Sequence, residues 1–170
     1  MGAPVLHEES IFPIKSNGIP INIRNTNIPE DPGTMIVDDS HPVTKAGIIT
    51  GIAGKKDFTV ISVEKTNMND EKGFIRKLIS VFESNEISIE HIPSSIDSIS
   101  VIVSDSEIST NLNKVLEEIR IYCQPDAIIT YKNMSLIAVV GRGMISTKGV
   151  SARIFTALAN EGVNIRMITQ

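Results

Sequence analysis

The sequence predicts an α+β fold of two tandem βαββαβ units, antiparallel sheets with helices on one face, the second unit incomplete at the C-terminus. Three observations predict it. Thr59–Ser94 lies over Ser135–Gln170 without a gap, at an offset of 76 residues. Each copy reads strand, loop, helix, strand, with a glycine ahead of the helix. The first copy then continues with a further strand, helix and strand, which completes a split-βαβ, ferredoxin-like unit.

The aligned copies are "TVISVEKTNMNDEKGFIRKLISVFESNEISIEHIPS" and "SLIAVVGRGMISTKGVSARIFTALANEGVNIRMITQ". Met68 meets Met144, Lys72 meets Lys148, Gly73 meets Gly149, Ile89 meets Ile165 and Ile92 meets Ile168. "TVISV" and "SLIAVV" are short β-branched or aliphatic runs and read as strands. From Gly73, the residues Phe74, Ile75, Leu78, Ile79 and Phe82 form one apolar stripe at helical spacing. Asn69, Asp70 and Glu71 favour a helix N-terminus there. In the second helix the stripe is Val150, Ile154, Phe155 and Leu158, with Ser146 or Thr147 as expected cap and Gly162 as left-handed stop. "EISIEHI" and "GVNIRMI" alternate and read as strands.

The first unit closes with strand "SISVIV", a helix carrying Leu112, Val115, Leu116 and Ile119, and strand "AIITYK". The second copy reaches Gln170 after its second strand, which leaves an edge and an apolar face in need of cover. "AGIITGIAG", ahead of the first unit, is an apolar strand that either opens that unit or joins the second. The proline-rich start, with "IPINIRN" as one strand and "EDPGT" as a turn, shows no complete core. The expected divisions are 1–46, then 47–133 for the first unit (with 47–54 open to either), then 134–170 for the second.

Composition removes several function classes. Hydrophobic residues make up 41% and charged residues 21%, the balance of a soluble globular chain. A net charge of −4 offers no basic face to displace counterions from phosphates, so no nucleic-acid partner is expected. No apolar run approaches the ~20 residues needed to span a bilayer, and no signal peptide opens the chain, so no membrane partner is expected. The single cysteine, Cys123, excludes an internal disulfide and fits a reducing cytoplasm.

Catalytic signatures are missing. Gly54-Lys55-Lys56 lacks the spacing and the following Ser or Thr of a phosphate loop, and Gly141-Arg142-Gly143 lacks the third glycine of a dinucleotide turn. His7, His41 and His91 have no metal-ligand spacing. No nucleophile and base assemble, so no catalytic residue, metal or cofactor is expected.

What remains is a binding constellation around "HIPSSIDSISVIV", His91–Val103. Amides at a helix start near Gly73 favour a carboxylate, and a residue without a side chain lets a ligand approach the backbone. Glu90, Ser94, Ser95 and Asp97 offer acceptors for an ammonium group. Donors at one end and carboxylates at the other suit a free amino acid. A plainer account stands beside it: Gly73 closes a turn, Pro93-Ser94-Ser95 makes a hairpin turn, and Glu90 and Asp97 are solvated.

The tandem unit resembles paired ACT domains, which sense amino acids, and the whole chain resembles the C-terminal part of aspartate kinases. "GAPVLHEESIFPIKSNGIPINIRNTNIPEDPGTMI" is similar to the segment that ends the kinase domain and enters the regulatory one. "EHIPSSIDSISVIV" is similar to the first unit's strand-turn-strand, and "GVSARIFTALANEGVNIRMITQ" to the second unit's helix and strand. Glu8 stands where a proline is common in the family. The Lys- and Gly-rich strand-turn, the nucleotide segment and the continuation of the second unit are not in this sequence. The resemblance implies that residues 1–46 are the tail of a kinase domain and linker, and that this chain alone is inactive as a kinase. It implies an end-product effector, lysine and/or threonine, held by Met68, Gly73, Phe74, Ile75, Glu90, Ser94, Ser95 and Asp97. A second-unit site is expected at Asn164, Ile165 and Gln170. Expected partners are the catalytic part of an aspartate kinase and further copies, at least a dimer through ACT units. Two other readings stay open: a stand-alone amino-acid-binding ACT protein and a structural dimerisation module.

Overall fold

A computed structural model describes residues 13–14, 17–38, 47–141 and 143–169. The sequence features at residues 1–12, including "GAPVLHEESI" and its His7 and Glu8, lie outside the described residues, as do His41, Arg142 and Gln170. The chain divides into two compact units, Met1–Gly51 with Val140–Thr147 and Ile52–Val139 with Lys148–Gln170.

In the first unit, β1 (Ile21–Ile23) pairs antiparallel with β2 (Thr34–Ile36), Ile21 opposite Ile36 and Ile23 opposite Thr34. The alternation in "IPINIRN" anticipates β1. Its partner, Thr-Met-Ile, is too short to signal itself.

The second unit holds a four-stranded sheet ordered β4-β5-β3-β6, where β3 is Gly51–Glu64, β4 Ile89–His91, β5 Ser98–Ser104 and β6 Ala127–Val140. β5 runs antiparallel to both neighbours, from Phe58 opposite Ser104 to Glu64 opposite Ser98 on one side, and with Ile89 opposite Val103 on the other. The Asp126 amide donates to the Glu64 carbonyl at 2.8 Å, and a Cβ on Gly54 would lie 3.7 Å from the Leu136 oxygen. As β3 advances β6 recedes, so this pair is antiparallel too. In chain order this is the ferredoxin-like arrangement.

Three helices interleave: α1 (Phe74–Ser84), the short α2 (Asp105–Ile108) and α3 (Leu112–Cys123). Phe74, Leu78, Val81 and Phe82 of α1 and Val115, Ile119 and Cys123 of α3 pack on Ile61, Val63, Ile99, Val101 and Val103 of the strands. Alternation puts the next residues, Phe58, Val60 and Ile102, on the other face, with Tyr131, Met134, Leu136 and Met167 against them. Thr59, the buried polar residue of the core, donates its hydroxyl to Asp105 at 2.5 Å.

Two expected strand pairs prove to be single long strands. The end of "GIITGIA", from Gly51, and "TVISV" merge into β3, and "AIITYK" and "SLIAVV" into β6, each of 14 residues. Asp57 (φ 67°) and Asn133 (φ 57°) are left-handed in mid-strand, and the register places them opposite each other. They are also 76 residues apart, the repeat offset, so they stand at a local two-fold between the copies.

The repeat is kept in the backbone. α1 recurs as α4 (Val150–Asn160), residue for residue at the same offset. Gly73 and Gly149 precede the helices with φ 84° each, a left-handed conformation that costs other residues roughly 1–2 kcal/mol. These glycines are the N-caps, without side-chain caps, which corrects the expectation of Ser146 or Thr147. Glu86 (φ 56°) and Gly162 (φ 69°) repeat the left-handed residue past the helix end. "GVNIRMI" is not a strand among the described residues. Its counterpart in the first copy, β4, pairs with β5.

Candidate functional site

The candidate site lies at the end of the sheet where β3 finishes, β5 and β6 begin and α1 starts. After Glu64 the chain makes a 3-10 turn, Met68–Asp70, that ends in the amide of Glu71 donating to the Met68 carbonyl at 3.2 Å. Met68 is buried and anchors this loop in the core. On the other side, the turn after β4 is closed by Ser95 donating its amide to the Ser98 carbonyl at 2.7 Å and Ser100 donating to Pro93 at 2.9 Å. The Lys65 amide joins loop to turn, donating to the Asp97 carbonyl at 2.9 Å. Between them opens a cavity of about 580 Å³ lined by residues 64–66, residues 95–98 and Asp126.

The walls are polar and bear charge of both signs. Asp126 accepts the amide and the hydroxyl of Thr66 at 2.7 Å each, and these bonds, the amide's first, hold its carboxyl below the usual range. Glu71 takes the ammonium groups of Lys65 and, at 2.8 Å, of Lys77. Hydrogen bonds from Lys65 and then Lys77 lower its carboxyl as well. Lys65 also donates to the Cys123 carbonyl at 2.9 Å and lies 5.2 Å from the centre of the Phe74 ring. Burial, the largest cause, pushes the Cys123 thiol up, away from thiolate reactivity.

The nominated residues divide into three groups. Ser95 and Asp97 line the cavity, with Ser94 beside them bridging Ile99. Gly73, Phe74 and Ile75 form the start of α1 and are not among the residues that line the cavity; Phe74 is buried with Met68 in the core while Ile75 is exposed. Glu90 lies apart. It stands beside Val103 and Ile102, five residues along β5 from Ser98, roughly 17 Å away at ~3.3–3.4 Å per residue. There it pairs with Lys55 at 3.3 Å. Glu90 and Asp97 therefore do not share one ammonium group in this structure. Sequence reasoning missed Glu64, Lys65, Thr66 and Asp126. Glu64 to Thr66 follow a strand and carried a local signal, whereas Asp126 arrives from 60 residues on by tertiary pairing.

A family model for the ACT domain matches residues 137–170. Aspartokinase 3 of Bacillus subtilis is 34% identical over 99% of this chain and 37% of its own length. The crystal structure of an aspartate kinase from Clostridium acetobutylicum, described as an allosteric enzyme, is 55% identical over 100% of this chain and 39% of that one, with a TM-score of 0.94. The chain belongs to the ACT-containing regulatory regions of aspartate kinases. It spans little more than a third of these relatives' length. Escherichia coli aspartokinase III, solved in complex with lysine and aspartate, is 22% identical with a TM-score of 0.72, a likeness of fold.

The second ACT copy presents its candidate residues differently. Asn164 and Ile165 follow α4 in a segment without assigned secondary structure, in which Met167 packs with Phe58, Val60 and Ile102 and Arg166 lies 3.8 Å from the Tyr131 ring centre. No helix among the described residues is long and apolar enough to cross a membrane.

Proposed function

We propose that this chain is the amino-acid-sensing part of an aspartate kinase, the enzyme that makes 4-phospho-L-aspartate from ATP and L-aspartate, and that it binds lysine, threonine or both for feedback inhibition. Residues 1–46 are then the kinase-domain tail and linker, 47–133 the first ACT unit and 134–170 the second, in a cytoplasmic assembly of at least two copies. The observation that carries the reading is the 55% identity, along the whole chain, to an aspartate kinase described as allosteric. The site supports it: a cleft at the end of the sheet is lined by hydroxyls and carboxylates of residues 64–66, 95–98 and Asp126. The ligand carboxylate takes the amide of Ile75, since that of Phe74 already donates to the Glu71 carbonyl at 3.2 Å, and the ammonium takes Asp97. Effector binding favours one of two arrangements of the assembly, in which the kinase is less active.

The experiment is calorimetric titration of L-lysine and L-threonine into the wild-type chain and Asp97→Ala. Losing one charge-assisted hydrogen bond costs about 1.5–3 kcal/mol, a tenfold to hundredfold weaker affinity. The main-chain bond from Lys65 to the Asp97 carbonyl survives this substitution, so the melting temperature should change little. Unchanged affinity with lowered stability would make Asp97 a turn residue only.

A further inference from the structure

Between β3 and Met68, the loop at the cavity wall, residues 65–67, has no fully buried residue to hold it. Its order comes from the Lys65 side chain, which binds Glu71 and the Cys123 carbonyl, and from two long-range contacts to its main chain. Asp126 takes both the amide and the hydroxyl of Thr66 at 2.7 Å, and the Lys65 amide takes the Asp97 carbonyl at 2.9 Å. Asp126 is fixed in turn, since its own amide donates to Glu64 at 2.8 Å as β6 begins. Two hydrogen bonds from one residue to one carboxylate oxygen define that residue's backbone and its χ1 together. Rotation of the Thr66 side chain loses the hydroxyl bond, a shift of its backbone loses both, and Lys65 precedes it directly.

We infer that Asp126 is a positioning residue for the effector: through Thr66 it fixes the Lys65 amide, which holds the turn that presents the Asp97 carboxylate to the ligand. This rests on the effector reading above. Asp126 itself need not touch the amino acid. Its place at the head of β6 also ties the loop to the strand that leads into the second ACT copy.

The test is titration of L-lysine and L-threonine into the wild-type chain, Asp126→Ala, Asp126→Asn, Thr66→Val and Thr66→Ser, with a melting temperature for each. Asp126→Ala should bind about tenfold more weakly, the loss expected when a charge-assisted hydrogen bond is removed. Asp126→Asn keeps an acceptor and Thr66→Val keeps the amide bond, so both should fall between. Thr66→Ser keeps both bonds and should bind as the wild type does. A purely structural contact would lower the melting temperature across the series and leave every affinity alone, which overturns the inference. If Asp126→Ala fails to fold, undiminished affinity in Asp126→Asn and Thr66→Val overturns it equally. A wild-type chain that binds neither amino acid removes the effector reading, and this inference with it.

Discussion

Ile61 and Ile137 occupy the same position in the two ACT copies, yet Ile61 is fully buried and Ile137 is 50% exposed. The pattern continues along the helices. Phe74, Leu78, Val81 and Phe82 of α1 are all buried, whereas α4 buries Val150 alone and leaves Phe155 exposed. The helices and their flanks show no such division in the backbone: helix lengths and the left-handed residues before and after them recur at one offset. Local structure follows from the repeated sequence, because capping and turn chemistry act within a few residues. Burial does not, because it needs a second helix and two more strands, and among the described residues only the first copy has these.

The largest expected effect separates the copies by burial. Ile61→Ala should destabilise the chain by about 2–5 kcal/mol, the range for emptying a core position. Ile137→Ala, which removes the same atoms from a half-exposed site, should cost about 1 kcal/mol or less. Urea unfolding of both variants at unchanged slope checks this. Equal losses would mean that Ile137 is covered in solution, and the contrast would fail.

A smaller effect should instead be equal in both copies. Gly73→Ala and Gly149→Ala each put a side chain at φ 84°, and an added Cβ meets nothing within 4 Å at either. The cost is then conformational alone, about 1–2 kcal/mol each. Glu86→Gly, which gives the first copy the glycine that the second has at Gly162, should gain about 0.5 kcal/mol, relief of strain less the unfolded chain's added freedom. Matched thermal melts of the three variants decide it, and a twofold difference between the two alanine variants would break the claim that these terms are local.

The same division explains what was legible in the sequence. The helix at Phe74 and its double at Val150 announce themselves by period, and the ungapped offset carries the repeat. The merging of strands into β3 and β6 was hidden, because Asp57 and Asn133 look like breaks and act as mid-strand kinks whose partners are each other. "GVNIRMI" has a strand's alternation but pairs with no strand among the described residues, and alternation alone does not make a ladder. In the site, Ser95 and Asp97 were readable from a turn between apolar runs. Glu90 seemed a neighbour of Asp97 because it is near in sequence, but extension of the chain along β5 carries it away. Asp126 was invisible, since only folding brings it to Thr66.

The smallest effect concerns charge that the first copy alone possesses. Glu71 links Lys65 and Lys77, and the residues 76 further on are Thr147, Gly141 and Arg153, which cannot rebuild that bridge. Hydrogen bonds from the two lysines hold the Glu71 carboxyl below its ordinary 4.5. A carboxyl lowered on folding stabilises the fold at pH above its unfolded value. That contribution fades as pH falls below about 4.5 and is gone once pH drops beneath the folded value. Glu71→Gln should therefore melt below the wild type at pH 7, and the gap should close on acidification through the carboxylate range. Added salt should narrow the gap at pH 7 as well, because both lysines are in part exposed and screening reaches them. Melting curves of the pair at several pH values isolate this group from the remaining carboxylates, which titrate alike in both proteins. A gap that stays constant from pH 7 to pH 3 would mean that Glu71 contributes packing rather than charge, and the first copy's loop would then be held by its bonds to Asp126, Asp97 and Cys123 and by Met68.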